Sequence, residues 1–259
     1  MCADLRAETD DLRALLVGLT DEDWRTPTPA EGWSIKDTVS HLAYFDRQAT
    51  LALEDPDAFA AHIAVIAGID DPTTFVDEQV GQTRHISGPE ILAWWDDERA
   101  ALLDACICAD PRARVPWYGP PMSARSKVTA RLMETWAHGQ DVVDALGCER
   151  VATDRIRHVC HIAVRARPFA FIANNLPVPD ADVQVVLTGP SGDVWGWGDP
   201  DSGERIEGPA VDFALLACRR RHRSDLSLHA TGRVADRWLD IAQAYAGPPG
   251  PGRRPRQFT

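Results

Sequence analysis

The sequence contains no apolar run approaching the roughly 18 residues that a bilayer-spanning helix requires, so no anchor of that kind is expected. Its N-terminus, Met-Cys-Ala-Asp-Leu-Arg-Ala-Glu, places charges where a secretory signal carries its apolar segment, and a cytoplasmic protein is expected. Basic residues are in short supply: 27 Lys plus Arg stand against 39 Asp plus Glu, a formal net charge of −12. A phosphate-binding surface needs the opposite balance, so nucleic acid is not an expected partner. No Cys-x-x-Cys pair occurs. The six cysteines (Cys2, Cys106, Cys108, Cys148, Cys160, Cys218) read as free thiols in a reducing compartment, several of them filling helix cores. Cys106 and Cys108 have nothing nearby to complete a tetrahedral metal set. Apolar material is ample: 259 residues with 44% hydrophobic content can build one large domain or two ordinary ones.

The first 150 residues read as helices. Leu5, Leu12, Leu15, Leu16 and Leu19 form one stripe, followed by a short turn from Thr20 to Asp23. A Pro/Thr-rich loop from Thr26 to Gly32 leads to Ser34-Ile-Lys-Asp37, a capping box that opens a helix with Ile35, Val39, Leu42, Phe45 and Ala49 inward. Ser87-Gly-Pro-Glu90 repeats that logic for a helix through Leu92, Trp95 and Leu102 towards Cys108. A fourth helix begins near Ser123, uses Val128, Leu132, Trp136 and Val143, and stops at Gly147. Shorter helical pieces are expected over Pro56 to Gly68 and Pro72 to Gly81. Four long amphipathic helices predict a bundle over residues 1–150.

After Val151 the pattern becomes mixed, and the fold class is α+β. A helix runs from about Thr153 to Pro168 or a little beyond. Val183 to Thr188 and Asp193 to Trp197 alternate around Gly-Pro-Ser-Gly, a hairpin signal. Pro209 opens a helix through Phe213, Leu215 and Leu216, Asp225 to Thr231 reads as a strand, and Val234 to Ala246 as a final helix. This second domain spans 151–246, and the Pro/Gly-rich tail 247–259 is expected to be disordered.

The chemistry concentrates in Glu134-Thr-Trp-Ala-His138-Gly-Gln-Asp141. Positions four apart sit one turn along the same helix face, so Glu134 and His138 project together and Asp141 joins their stripe. Leu132, Trp136 and Val142 flank that stripe, and a buried carboxylate is costly unless something such as a cation partners it. A third ligand must come from another helix, and His41, between Val39 and Leu42, is the candidate. Taken alone, His41 reads as a hydrogen-bonded core histidine and Glu-x-x-x-His as a chance pair on a solvated helix; their combination points to a divalent metal.

Gly32-Trp-Ser-Ile-Lys-Asp-Thr-Val-Ser-His41-Leu resembles the G-W-(S/T)-x-x-(D/E)-x-x-x-H-L stretch of the DinB-like metal-binding bundles. Within that superfamily, a bundle with an α+β tail resembles the mycothiol-dependent maleylpyruvate isomerase group, and Glu134-x-x-x-His138-Gly-x-Asp141 is similar to its second ligand pair. Pro116-Trp-Tyr-Gly-Pro-Pro-Met122, leading into Met133 to Asp141, resembles an actinobacterial branch known as metal-binding, and departs there from the isomerase pattern. The resemblance implies a DinB-like four-helix bundle followed by a small sterol-carrier-like domain, with His41, Glu134 and His138 as metal ligands. It also implies a mycothiol-like thiol cosubstrate and a functional arginine on the helix Gly208 to Arg221; zinc is the expected ion, with iron the alternative that these ligand types do not separate from it. Arg220 matches that arginine best, with Arg219 and Arg221 beside it.

Other residues carry less. Asp141 either accepts a hydrogen bond from a ligand histidine or serves an N–H or arginine unrelated to metal. His158 and His161 are three apart on a helix and could pair on a second metal, but nothing convergent accompanies them, and a solvated or interface role is favoured. His222 and His229 read as structural, and His62 and His85 give no signal. Arg219 to Arg223 form either a solvated face or a cradle for an anionic substrate. Trp117 and Tyr118 either wall the site or pack under their loop. The donor set suits three functions: a thiol-dependent isomerase or transferase, which is the expectation; a non-haem iron oxygenase; and a metal-stabilised ligand-binding module.

Overall fold

The computed structural model of the protein describes residues 1–67 and 74–258. The chain divides into two compact units, Met1–Glu149 and Arg150–Thr259. No helix among the described residues is long and apolar enough to cross a membrane.

Unit one contains α1 (Cys2–Leu16), α2 (Asp21–Trp24), α3 (Ile35–Glu54), α4 (Pro56–Ala67), α5 (Phe75–Gln82) and α6 (Gly88–Cys108). A small antiparallel ribbon of β1 (Arg114–Val115) and β2 (Met122–Ser123) then leads into α7 (Ala124–Leu146). The helical ends expected at Gly68 and Pro72 lie outside the described residues. Local chemistry sets the starts of these helices. Ser34 N–H donates to Asp37 Oδ2 at 2.8 Å while Asp37 N–H donates back to Ser34 Oγ, and Ser87 N–H donates to Glu90 Oε2 at 3.0 Å. Gly147 closes α7 in the left-handed conformation (φ 62°), where a side chain would be strained.

The four long helices α1, α3, α6 and α7 pack as the bundle. Leu12, Leu16, Ile35, Val39, Leu42, Ile91, Trp95 and Val142 share one buried cluster. Each such aliphatic side chain stabilises the fold by about 1.5–3 kcal/mol on burial. Two inward expectations shift: Ile91 takes the core position ahead of the partly buried Leu92, and Phe45 is half-buried against His41.

Unit two contains α8 (Ile156–Arg165), α9 (Arg167–Ala173), β3 (Gln184–Thr188), β4 (Val194–Trp197), β5 (Arg205–Pro209), α10 (Ala210–Ala217), β6 (His229–Thr231) and α11 (Arg233–Ile241). The strand order is β4-β3-β5-β6, with β3 and β5 parallel and both outer pairs antiparallel. The expected hairpin is β3–β4. The central strand β5 was not expected, because Arg-Ile-Glu-Gly-Pro carries one apolar side chain, the buried Ile206, and its strand character comes from pairing on both sides.

The strand expected over Asp225 to Thr231 is shorter. Residues Arg223–Asp225 form a 3₁₀ turn, capped when His222 Nδ1 accepts from Ser224 N–H at 3.1 Å. The last helix stops at Ile241 rather than Ala246, because Gln243 Nε2 donates to the carbonyls of Tyr245 and Gly247 in a turn. Over its described residues, the tail expected to be disordered makes three contacts with the rest of its unit. Gly250 O accepts from Arg219 Nη2 at 3.2 Å, Arg256 N–H donates to Asp225 Oδ2 at 2.7 Å, and the Arg221 guanidinium lies 4.2 Å from the Phe258 ring centre.

Candidate metal centre

The centre is built from the α3 entrance and the middle of α7. Gly32 takes φ +78°, which turns the chain so that Trp33 precedes the Ser34 cap. The Trp33 indole N–H donates to Asp77 Oδ1 at 2.8 Å, and its ring stands 5.1 Å from His41 and 6.0 Å from His138. His41, two turns into α3, faces Glu134 and His138 on α7.

Glu134 Oε2 lies 3.4 Å from His138 Nε2 and 4.0 Å from His41 Nε2, and the two imidazole centroids are 4.7 Å apart. One ligand atom from each residue falls within 4.8 Å of the others, and no other group of three or more His, Cys, Asp or Glu does so among the described residues. Metal–ligand bonds of about 2.0–2.2 Å in a tetrahedral set put donor atoms roughly 3.3 Å apart. The present separations reach that arrangement with side-chain movements of about an ångström or less. The donors therefore fit a divalent cation.

Electrostatics agree with the fit. Burial pushes the His41 imidazole down to about 4, so it presents a neutral ring at pH 7. Burial alone would raise the Glu134 carboxyl, but hydrogen bonds from His138 and His41 outweigh it and hold the group well below its usual range. A neutral imidazole and an ionised carboxylate are the forms that bind metal. Asp141, fully buried, places Oδ2 3.3 Å from His138 Nδ1. This carboxylate orients the ring so that Nε2 faces Glu134.

Behind the donors lies a buried ionic lock that the sequence did not reveal. Asp46 accepts from Trp95 Nε1 at 3.0 Å, Arg99 Nε at 2.8 Å and Arg131 Nε at 2.9 Å. Arg99 also donates to Thr9 Oγ1 and, at 2.9 Å, to Thr135 Oγ1. The lock ties α1, α3, α6 and α7 together within one turn or so of His41 and Glu134. It ties together the two helices that carry the candidate donors.

The other expected residues are placed as follows. Arg220 lies just past α10, with Nη1 donating to Cys218 O at 2.6 Å. Arg219 adopts φ +57°, an uncommon conformation for a residue with a side chain, and it and Arg221 hold the tail. His161 Nδ1 accepts from Trp197 Nε1 at 3.3 Å. Burial raises Cys106 to about 12, which leaves that thiol inert at neutral pH. Trp117 and Tyr118, in the β1–β2 loop, pack on Phe45 and Phe59. His62, silent in the sequence, is hydrogen-bonded to Tyr44 and Tyr118.

Comparison with known proteins places this geometry in context. The family described as the mycothiol maleylpyruvate isomerase N-terminal domain matches residues 5–143. Two proteins from different strains of Mycobacterium tuberculosis, each described as uncharacterized, are 47% identical over 251 residues, 97% of this chain and 97% of each relative. Among solved structures, the mycothiol-dependent maleylpyruvate isomerase matches with a TM-score of 0.59 at 15% identity, over 88% of this chain and 90% of that one. A histidine-to-alanine mutant of it matches with a TM-score of 0.58 at 14% identity and the same coverage. At these identities the structural likeness concerns the fold.

Proposed function

Because the chain belongs to the family of the mycothiol maleylpyruvate isomerase N-terminal domain, we propose that it is a metal-dependent enzyme that uses a small, mycothiol-like thiol to isomerise, or transfer sulfur to, a small electrophilic substrate. The observation that carries this reading is the convergence of His41, Glu134 and His138 from two helices. These residues would hold the ion, and zinc is the metal we propose. Three protein donors, rather than four, mark a site with room for an exogenous ligand. When bound, a divalent ion supplies the positive charge that lets a thiol ionise at neutral pH.

The chain's own residues do the rest. Asp141 keeps the His138 ring turned so that Nε2 faces the donors, and Trp33 and Phe45 cover His41 and exclude water from it. Arg220 is proposed to bind a substrate carboxylate, as the family resemblance suggests, with Arg219 and Arg221 as its controls. Thiolate addition to a conjugated double bond, rotation, and expulsion of the same thiolate gives cis–trans isomerisation and returns the thiol. Displacement of a leaving group instead gives an S-conjugate.

Elemental analysis of anaerobically purified protein, followed by a thiol-dependence assay, tests the reading. About one ion per chain is expected, falling well below that in His41→Ala, Glu134→Ala and His138→Ala and unchanged in His158→Ala and His161→Ala. Full occupancy in His41→Ala would remove it from the ligand set. Metal-loaded protein inert towards thiols and electrophiles would point to a metal-stabilised binding module, and oxygen consumption with iron to an oxygenase.

A further inference from the structure

The chain carries 27 basic residues against 39 acidic ones, yet four of its arginines meet at one cavity in unit two. Arg219, Arg221 and Arg223 come from the turn after α10, and Arg253 comes from the tail. The cavity measures about 470 Å³, and Leu216 and Leu228 supply part of an apolar wall. A volume of that order suits a small organic molecule rather than a polymer. Arg220 does not line it.

Arg219 is held at this cavity against a local preference. Helix α10 ends in a Schellman turn: Arg220 N–H donates to Leu215 O at 2.7 Å, and Arg219 N–H to Leu216 O at 2.9 Å. The left-handed position of such a turn usually belongs to glycine, which has no Cβ to crowd the backbone. Here it is Arg219, at φ +57°. Glycine stands instead on the facing segment of the tail. Gly252 takes φ +70°, and a Cβ there would come within 3.0 Å of Arg219 Nη2. The backbone bears strain at one residue to present a guanidinium, and forgoes a side chain at another to make room for it.

Contacts within the chain leave the charge of Arg219 unanswered. Its Nη2 donates to Gly250 O at 3.2 Å, a neutral acceptor, and its Nε is buried without a hydrogen-bond partner among the described residues. Asp240, the one acid lining the cavity, pairs with Arg223 at 2.6 Å. A buried charged donor without an acceptor is costly, and an anion entering the cavity would relieve that cost.

The lining also selects the kind of anion. Guanidinium groups present paired N–H donors that match the oxygens of phosphate and carboxylate. Four arginines against one acid favour two negative charges over one, and the leucines favour an organic body over a bare ion. We propose that this cavity binds a phosphate monoester with an apolar body. Its dianionic head sits on Arg219 and the adjoining arginines, and its body lies against Leu216 and Leu228. The site goes beyond the proposed function, since it uses neither the metal donors nor Arg220.

The test is isothermal titration of the full chain with phenyl phosphate, benzoate and inorganic phosphate. Phenyl phosphate should bind about tenfold or more tighter than either of the others. Benzoate keeps the ring with a single charge, and inorganic phosphate keeps the head without the ring. Arg219→Gly should weaken phenyl phosphate about ten- to hundredfold, the loss of one charged hydrogen-bonding partner. Its urea midpoint should stay at or above that of the wild type, because glycine suits the left-handed turn. A residue that only fastened the tail would instead lower the midpoint and leave affinity unchanged. Arg253→Gln lies outside every helix and strand and should weaken the same ligand about threefold or more, so it carries the test if Arg219→Gly fails to fold. Absence of phenyl phosphate binding, equal or tighter binding of benzoate or inorganic phosphate, or wild-type affinity in both variants would overturn the inference.

Discussion

Replacing Asp46 by asparagine probes the lock that sets the site. The carboxylate is completely buried and accepts three hydrogen bonds, two of them from guanidinium groups that are themselves buried. Asparagine has nearly the same volume, so no cavity is created and the change is one of charge and acceptor capacity. Its amide oxygen can keep one or two bonds, but its NH₂ would face an arginine, and two buried cations would lose their counter-charge. Breaking a buried pair in this way costs about 3–5 kcal/mol. For a unit of this size that corresponds to a fall in Tm of roughly 6–20 °C. The surface pair Arg13–Asp96 is the internal control: its 2.9 Å separation is nearly the same, but the side chains are 46% and 31% exposed. Arg13→Ala should cost less than about 1 kcal/mol. Urea unfolding of the full chain, followed by circular dichroism, compares the two. Metal affinity of Asp46→Asn should fall as well, because α3 and α7 carry the three proposed donors. An Asp46→Asn protein within about 1 kcal/mol of wild type, with unaltered metal affinity, would refute the reasoning.

Other outcomes follow from the same geometry. Asp141→Ala should weaken metal binding about 10- to 100-fold, since it removes the carboxylate that orients His138; competition with a chelator measures it. Lys127→Met should stabilise the protein near neutral pH, because folding there strips a proton from the buried amine. Its pKa falls from 10.5 to about 6, so the unfolded state binds more protons between those values, and wild-type stability rises with pH across that window. The variant's advantage of a few kcal/mol at pH 7 should shrink towards pH 10, and urea midpoints at both pH values show it. Arg220→Ala should lower turnover while leaving metal content intact; wild-type activity in all of Arg219→Ala, Arg220→Ala and Arg221→Ala would remove the basic run from the mechanism.

Much of the helical unit could be read residue by residue. Ser34 with Asp37, and Ser87 with Glu90, are capping signals that act within one turn, so their meaning does not depend on distant parts of the chain. The same holds for Glu134 and His138, whose shared face follows from helical pitch. His41 is nameable because a motif accompanies it, and the fold brings it to Glu134.

Residues whose role depends on partners far along the chain were not legible. Arg99 looked like any charged helix position, and only the meeting of α1, α3, α6 and α7 makes it a buried member of the lock. His62 carried no pattern, because its two hydrogen-bond partners lie 18 and 56 residues away. Strand β5 has a weak apolar signature, and its place between β3 and β6 is a property of the sheet. Local periodicity and capping, which act over a few residues, thus determined the helices and two of the three converging donors. The third donor's position, the lock beneath it and the aromatic cluster beside it were decided by tertiary packing, which alone brings distant side chains into contact.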